Sequence, residues 1–177
     1  MSAGPNADWA TPLKLRELGR TALRFKLEPD ADQRAKVAAD LGLEALPSLT
    51  AQLTVRAWRD GAAITGRFDA VVAQLCSVSL EPFEQPLSGE IDVRVVPVGS
   101  VNAPEEVSGE IERNPDTPDP PDVLPGEAVD LAAYVVEHLA LEIDPFPRKP
   151  GVAFEYDAPT AEESPFAALQ KLKDRDR

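Results

Sequence analysis

The sequence predicts a mixed α+β domain: a mostly antiparallel sheet or open barrel of four to five strands packed against one long helix, with short additional helices. Three observations carry that prediction. Residues 51–70 alternate apolar and polar side chains on either side of Asp60-Gly61, a strong two-residue turn signal. Residues 126–147 hold a helical apolar stripe with punctuation at both ends. Hairpin-linked strand patterns come before that helix, an order that argues against a doubly wound parallel sheet.

Taken in order, residues 1–12 carry no periodic pattern and are expected to form a flexible tail, ahead of a single domain over 13–173 and a short tail at 174–177. From Arg20 to Leu27, Leu23, Phe25 and Leu27 alternate with Arg24 and Lys26, the pattern of a half-buried strand. Pro29 and Asp30 introduce a short helix over Asp32–Leu41 that stops at Gly42. Closing the hairpin at Asp60-Gly61 sets Ala57 opposite Ile64, Val55 opposite Gly66, Leu53 opposite Phe68 and Ala51 opposite Ala70 on the apolar side. The polar side then receives Trp58 with Ala63, Arg56 with Thr65 and Thr54 with Arg67. Val71-Val72 breaks the alternation and is expected to hold a bulge. A further strand runs over Leu87–Val96, with Glu90, Asp92 and Arg94 outward.

Residues 100–125 contain six prolines and seven carboxylates with few large apolar side chains, the composition of an acidic loop that cannot offset its ordering entropy. In the main helix Asp130 caps the start; Leu131, Val135, Leu139 and Ile143 recur every four residues beside Ala132, Val136 and Ala140; Asp144-Pro145 ends it. Val152, Phe154 and Tyr156 alternate as a short last strand, and Phe166–Lys173 reads as a terminal helix.

The net charge of −13 is unevenly placed. Residues 1–80 carry ten basic against nine acidic side chains, residues 81–144 two against sixteen, and residues 145–177 six against six. An acidic field over the middle repels RNA and suits a basic protein, so direct RNA contact has to use the amino-terminal part or the tail. One cysteine excludes an intramolecular disulfide, no apolar run is long enough to span a bilayer, and Met1–Asp8 lacks the regions of a signal peptide; the expectation is a cytoplasmic protein with no membrane partner.

Two stretches in this order carry a resemblance. Leu75-Cys-Ser-Val-Ser-Leu-Glu-Pro-Phe83 places a cysteine and Leu-Glu-Pro-Phe at the end of a strand. An acidic insert follows, then Gly126-Glu-Ala-Val-Asp-Leu131 opens a helix, and Ser164–Leu172 closes the pattern. Together they resemble the YceD-like family, also called large ribosomal RNA subunit accumulation proteins, over residues 20–173. The resemblance implies a role in ribosome biogenesis, in which loss of the protein lowers the accumulation of large-subunit ribosomal RNA. Members of that family often carry C-x-x-C at this point; here Ser79 stands at the second position, and Pro147-Arg-Lys-Pro-Gly151 holds no cysteine. One thiolate cannot assemble a tetrahedral metal site, so neither a metal nor another cofactor is expected.

No P-loop, G-x-G-x-x-G, G-x-S-x-G or H-E-x-x-H motif occurs, and the expectation is a non-enzymatic protein. Cys76 with His138 as its base would be the alternative, an enzyme; an acidic interaction module unrelated to ribosomes is another. Two partners stay open: a ribosomal protein, or large-subunit precursor rRNA, with no DNA. For a protein partner the candidates are Glu81, Pro82 and Phe83, each also readable as turn residues, with Asp130, also readable as a cap, and Glu137. For RNA they are Arg24, Lys26, Arg56, Trp58 and Arg67, cations with one aromatic on the outward face of the hairpin and first strand. Trp58 could instead be covered by the amino-terminal tail or Trp9.

Overall fold

A computed structural model of the chain describes residues 9–104 and 119–154. Strand β1 (Pro12–Lys14) runs into a single 3-10 turn (Leu15–Glu17) and is followed by β2 (Leu23–Leu27), α1 (Ala31–Asp40), β3 (Ala45–Trp58), β4 (Gly61–Leu75) and β5 (Pro82–Pro97). Then come β6 (Asp122–Leu124), β7 (Ala128–Asp130) and α2 (Leu131–Glu142). The main sheet has the order β2-β3-β4-β5-β6, and β1 pairs with β7 in a small second sheet. No helix among the described residues is long and apolar enough to cross a membrane.

The class is α+β, with two corrections. The sheet is mixed, because β6 lies parallel to β5 (Val95↔Asp122 to Pro97↔Leu124) while the other neighbours are antiparallel. It is open, as expected, with β2 and β6 as its outer strands. Among the described residues there is no single long helix: α2 spans 12 residues and α1 spans 10.

Each helix starts where a carboxylate meets free amides. Asp30 and Gln33 form a reciprocal capping box at α1, and Gly42, at a φ of 66°, takes the left-handed backbone just past its end. Asp130 Oδ1 accepts from Ala132 N at 3.1 Å and also from Thr11 N at 2.8 Å, so one side chain caps α2 and pins the chain ahead of β1. Residues 9–12 are therefore not part of a loose tail; Trp9 is buried in the core and Pro12 opens β1. Residues 1–8 lie outside the described residues.

The hairpin assigns the faces as the alternation requires, but its partners slide by two. Val55 faces Ile64, Leu53 faces Gly66 and Ala51 faces Phe68, because Trp58 pairs with Gly61 and the turn is Arg59-Asp60. Arg59 accepts a φ of 54° there. Gly61 is needed for a different reason: a β-carbon at that position would collide with the backbone carbonyl of Val95. A bulge occurs opposite Val72, where the broken alternation indicates it, but the extra residue is on β3, between Ala45 and Ser48; toward β5, Val71 and Val72 pair regularly with Pro86 and Gln85. Pro82 and Phe83 belong to β5, longer than its pattern indicates; the turn before it is Cys76–Glu81, with Leu80 at a φ of 58°. β6 falls inside the stretch read as an acidic loop, whose residues 105–118 lie outside the described part. Val152 and Phe154 do not form a strand; Tyr156 and the expected terminal helix lie outside the described residues.

Among the described residues all of the helical cover sits on one side. Leu53, Val55, Ile64, Phe68, Ile91 and Val95 of the sheet are buried together with Leu131, Val135 and Leu139 of α2 and Val37 of α1. Phe68 fills the space a side chain at Gly89 would take, with its ring 2.6 Å from where that β-carbon would stand. The odd member of the α2 stripe is Ala140, which is exposed.

Candidate nucleic-acid interface

The opposite face of the sheet carries polar side chains in rows set by the register. Arg24 lies beside Thr54, Thr65 and Asp92; Lys26 beside Gln52, Arg67 and Glu90; Arg56 beside Ala63 and Arg94. A groove of about 740 Å³ crosses this face between Arg24, Lys26, Gln52, Thr54, Arg67 and Glu90. Among the described residues Arg24, Arg56 and Arg67 have no ion-pair partner, whereas Lys26 meets Glu28 at 2.8 Å. That contact holds the Glu28 carboxyl below its ordinary value. Cations without local partners retain their full attraction for phosphate.

Four of the five sequence-derived RNA candidates thus lie in three adjacent rows, and the fifth, Trp58, stands at the hairpin end. Its ring is not a bare stacking platform. The Arg59 guanidinium lies 4.5 Å and that of Arg94 5.7 Å from the indole centroid. Arg59 Nη1 also donates to Asn102 Oδ1 at 3.0 Å, and Asn102 Nδ2 donates to Asp60 Oδ1 at 2.8 Å. Ser100 and Asn102 lower the Asp60 carboxyl from its ordinary value through these side-chain bonds. Trp58 therefore gathers two further cations at the turn. Trp9 is in the core and does not cover it. Arg59 and Arg94 escaped the sequence reading; the outward parity of Arg94 was visible, but its place beside Arg56 needed the β4–β5 register.

The protein-partner candidates scatter. Glu81 sits at the far end of the sheet, where its carboxylate meets Lys149 Nζ at 2.8 Å. Lys149 holds Glu81 down, and Glu81 in turn raises Lys149. Phe83 is half-buried and Pro82 exposed at the start of β5. Asp130 is half-buried and occupied by its two amides. Glu137 is exposed on α2.

Cys76 is fully buried, at 0 % exposure. Ser79 N and Lys149 N each donate to its sulfur at 3.4 Å, and Ser77 N donates to Pro147 O at 2.8 Å, so the turn is sewn to the segment after α2. The Ser79 side chain first, then the amides of Ser79 and Lys149, pull the thiol down to about 6 against the opposing effect of burial. The structure does not bring His138 to it. His138 lines a cleft with Asp92 and Arg94, toward the other end of β5 from Cys76. Its Nδ1 is 2.8 Å from the Tyr134 carbonyl, which can only accept, so Nδ1 carries the proton. Among the described residues no group of three or more His, Cys, Asp or Glu could hold a metal ion.

Residues 64–173 match the family model described as large ribosomal RNA subunit accumulation protein YceD. The chain belongs to the YceD family. The family's name carries a role in accumulation of large-subunit ribosomal RNA. No curated protein and no solved structure matches the chain. The matched stretch begins inside β4, so Arg67, Arg94, Cys76, Glu81 and all of β5 and α2 fall within it, while Arg24, Lys26, Arg56 and Trp58 precede it.

Proposed function

We propose that this member of the YceD family supports accumulation of large-subunit ribosomal RNA as a binding factor that carries out no bond chemistry, holding precursor RNA against the open face of its sheet. One observation carries the reading: that face is uncovered by helices among the described residues and presents Arg24, Arg56 and Arg67 without ion-pair partners. Phosphate neutralisation by such side chains releases counterions and supplies most of a sequence-independent affinity. Arg59 and Arg94 around Trp58 extend the cationic track toward the turn. Threonine and glutamine at Thr54, Thr65 and Gln52 supply neutral hydrogen-bonding groups between the cations.

The test is crosslinking of the tagged protein to RNA in cells, with large-subunit rRNA levels measured alongside. The triple variant Arg56→Ala, Trp58→Ala, Arg67→Ala is expected to lose the RNA crosslink and lower rRNA accumulation. A crosslink that persists at the parent level, or its absence from the parent protein, overturns the proposal.

A further inference from the structure

The same sheet has an edge of opposite character. Val98 N donates to Leu124 O at 3.0 Å, so the even-numbered end of β5 turns its backbone groups toward β6. Backbone groups alternate sides along a strand, which directs those of Ser88, Glu90, Asp92 and Arg94 to the same side. Pro86, which has no amide to donate, shares that parity, as a proline in a strand paired on its other side must. Yet β6 covers only Val95–Pro97. Among the described residues no strand pairs with Ser88–Arg94 on that side.

Residues 119–121, which lead into β6, are unsuited to continue the ladder. Pro120 and Pro121 stand immediately ahead of Asp122 and remove two amides. β5 itself carries the carboxylates of Glu90 and Asp92.

Those carboxylates line the edge. A cleft of about 550 Å³ opens where β5 leaves β6, between Asp92, Arg94, Asp119, Asp122 and His138. Tyr134 Oη donates to Asp122 Oδ2 at 3.0 Å, fixing that carboxylate at the rim. Burial and the Asp122 charge push the Tyr134 hydroxyl upward, so it stays a donor. With Nδ1 committed to the Tyr134 carbonyl, His138 offers Nε2 as an acceptor. Farther along, Glu142 of α2 lies over Gly89, its Cγ 3.3 Å from where a β-carbon would stand. Among the described residues acceptors outnumber donors here, and the cation lining the cleft is Arg94.

We propose that the β5 edge from Ser88 to Arg94 takes an extended lysine- or arginine-rich segment of another protein as an added strand, seating a basic side chain in the adjoining cleft. The backbone ladder supplies affinity and the carboxylates select the charge. Seven residues of edge span about 23 Å, enough for a ladder of ordinary strand length. The proposal adds a protein partner at the strand edge bordering the RNA face, with Glu90 and Arg94 at the border, and its probe contains no RNA, so either can fail alone.

The probe is a fluorescein-labelled peptide of alternating lysine and valine, titrated into the full chain at low and raised salt, with a glutamate–valine peptide as control. The lysine peptide is expected to bind with affinity that falls as salt rises, and the glutamate peptide not to bind. Ser88→Pro removes one edge amide without altering charge and should weaken binding at least tenfold. Hydrogen exchange on the parent protein gives a reading that no folding defect can confuse. Amides of Ser88, Glu90, Asp92 and Arg94 should exchange fast in the free chain and slowly with peptide. Peptide binding indifferent to Ser88→Pro in a folded variant, or no peptide binding at all, overturns the proposal. So does protection of the edge amides in the free chain, which would mean that a segment of this chain already occupies it. Displacement of the peptide by oligouridylate would place RNA there instead and equally overturn it.

Discussion

The open face and the β5 edge share one sheet and one core, yet they recruit charge in different ways. On the face, the cations Arg24, Lys26, Arg56 and Arg67 come from β2, β3 and β4, and pairing alone collects them into adjacent rows. At the edge, the carboxylates come from β5, the approach to β6 and α2, and backbone groups stand beside them. A face can read charge and shape, because its backbone hydrogen bonds are consumed by the ladder. An edge still has amides and carbonyls to offer, and natural proteins rarely leave one open. Among the described residues of the outward face, Glu90 and Asp92 lie on β5 and Arg24, Lys26, Arg56 and Arg67 on β2 to β4, so a chain of net charge −13 still presents a cationic stretch there.

The change with the largest expected effect should collapse both regions together. Phe68 is fully buried between the sheet and Gly89, and Phe68→Ala should cost about 3–5 kcal/mol of folding free energy in a denaturant titration. RNA and peptide binding should be lost in parallel. Charge reversal should separate the regions: Arg24→Glu with Arg67→Glu is expected to weaken RNA binding by at least tenfold and flatten its salt dependence, while lysine-peptide binding stays at or above the parent level. Equal losses for both ligands would mean that the face and the edge are one site.

Smaller changes probe how the two regions are held. Asp130→Ala should cost about 1 kcal/mol or somewhat more by thermal denaturation, since it frees both Ala132 N and Thr11 N, and leave both ligands bound. The smallest effect concerns the Cys76 turn and its pH dependence. The folded-state thiol sits at about 6, below its ordinary value of 9.0, so its stabilising contribution is complete above that ordinary value and fades as pH falls toward 6. The stability difference between the parent and Cys76→Ser should therefore grow from pH 6 to pH 9, and a flat difference would show that the sulfur is not ionised there. Large-subunit rRNA levels in cells carrying Cys76→Ser are expected to stay normal; a collapse in a folded variant would favour the enzymatic alternative.

Much of this was legible before any coordinates. The parity of β2, β3 and β4 follows from alternation, so Arg24, Lys26, Arg56 and Arg67 could be placed on one side of the sheet from sequence alone. The Asp130 cap and the α2 stripe were equally plain, because both depend on contacts within a few residues. The hairpin register was not, since Asp60-Gly61 is a turn signal in isolation and the decisive constraint on Gly61 is the Val95 carbonyl from a third strand. β6 was hidden for a related reason: three residues in a proline-rich acidic stretch have no periodicity of their own and become a strand only against Val95–Pro97.

By itself the sequence determined which side chains share a face, where the helices begin and where the acidic residues concentrate, all of them properties of neighbours along the chain. Only the tertiary structure decided that β6 runs parallel and stops short, that two more arginines gather around Trp58, and that an amide-bearing edge lies beside a carboxylate-lined cleft. Those depend on contacts between residues far apart in the chain, whose register no local pattern encodes.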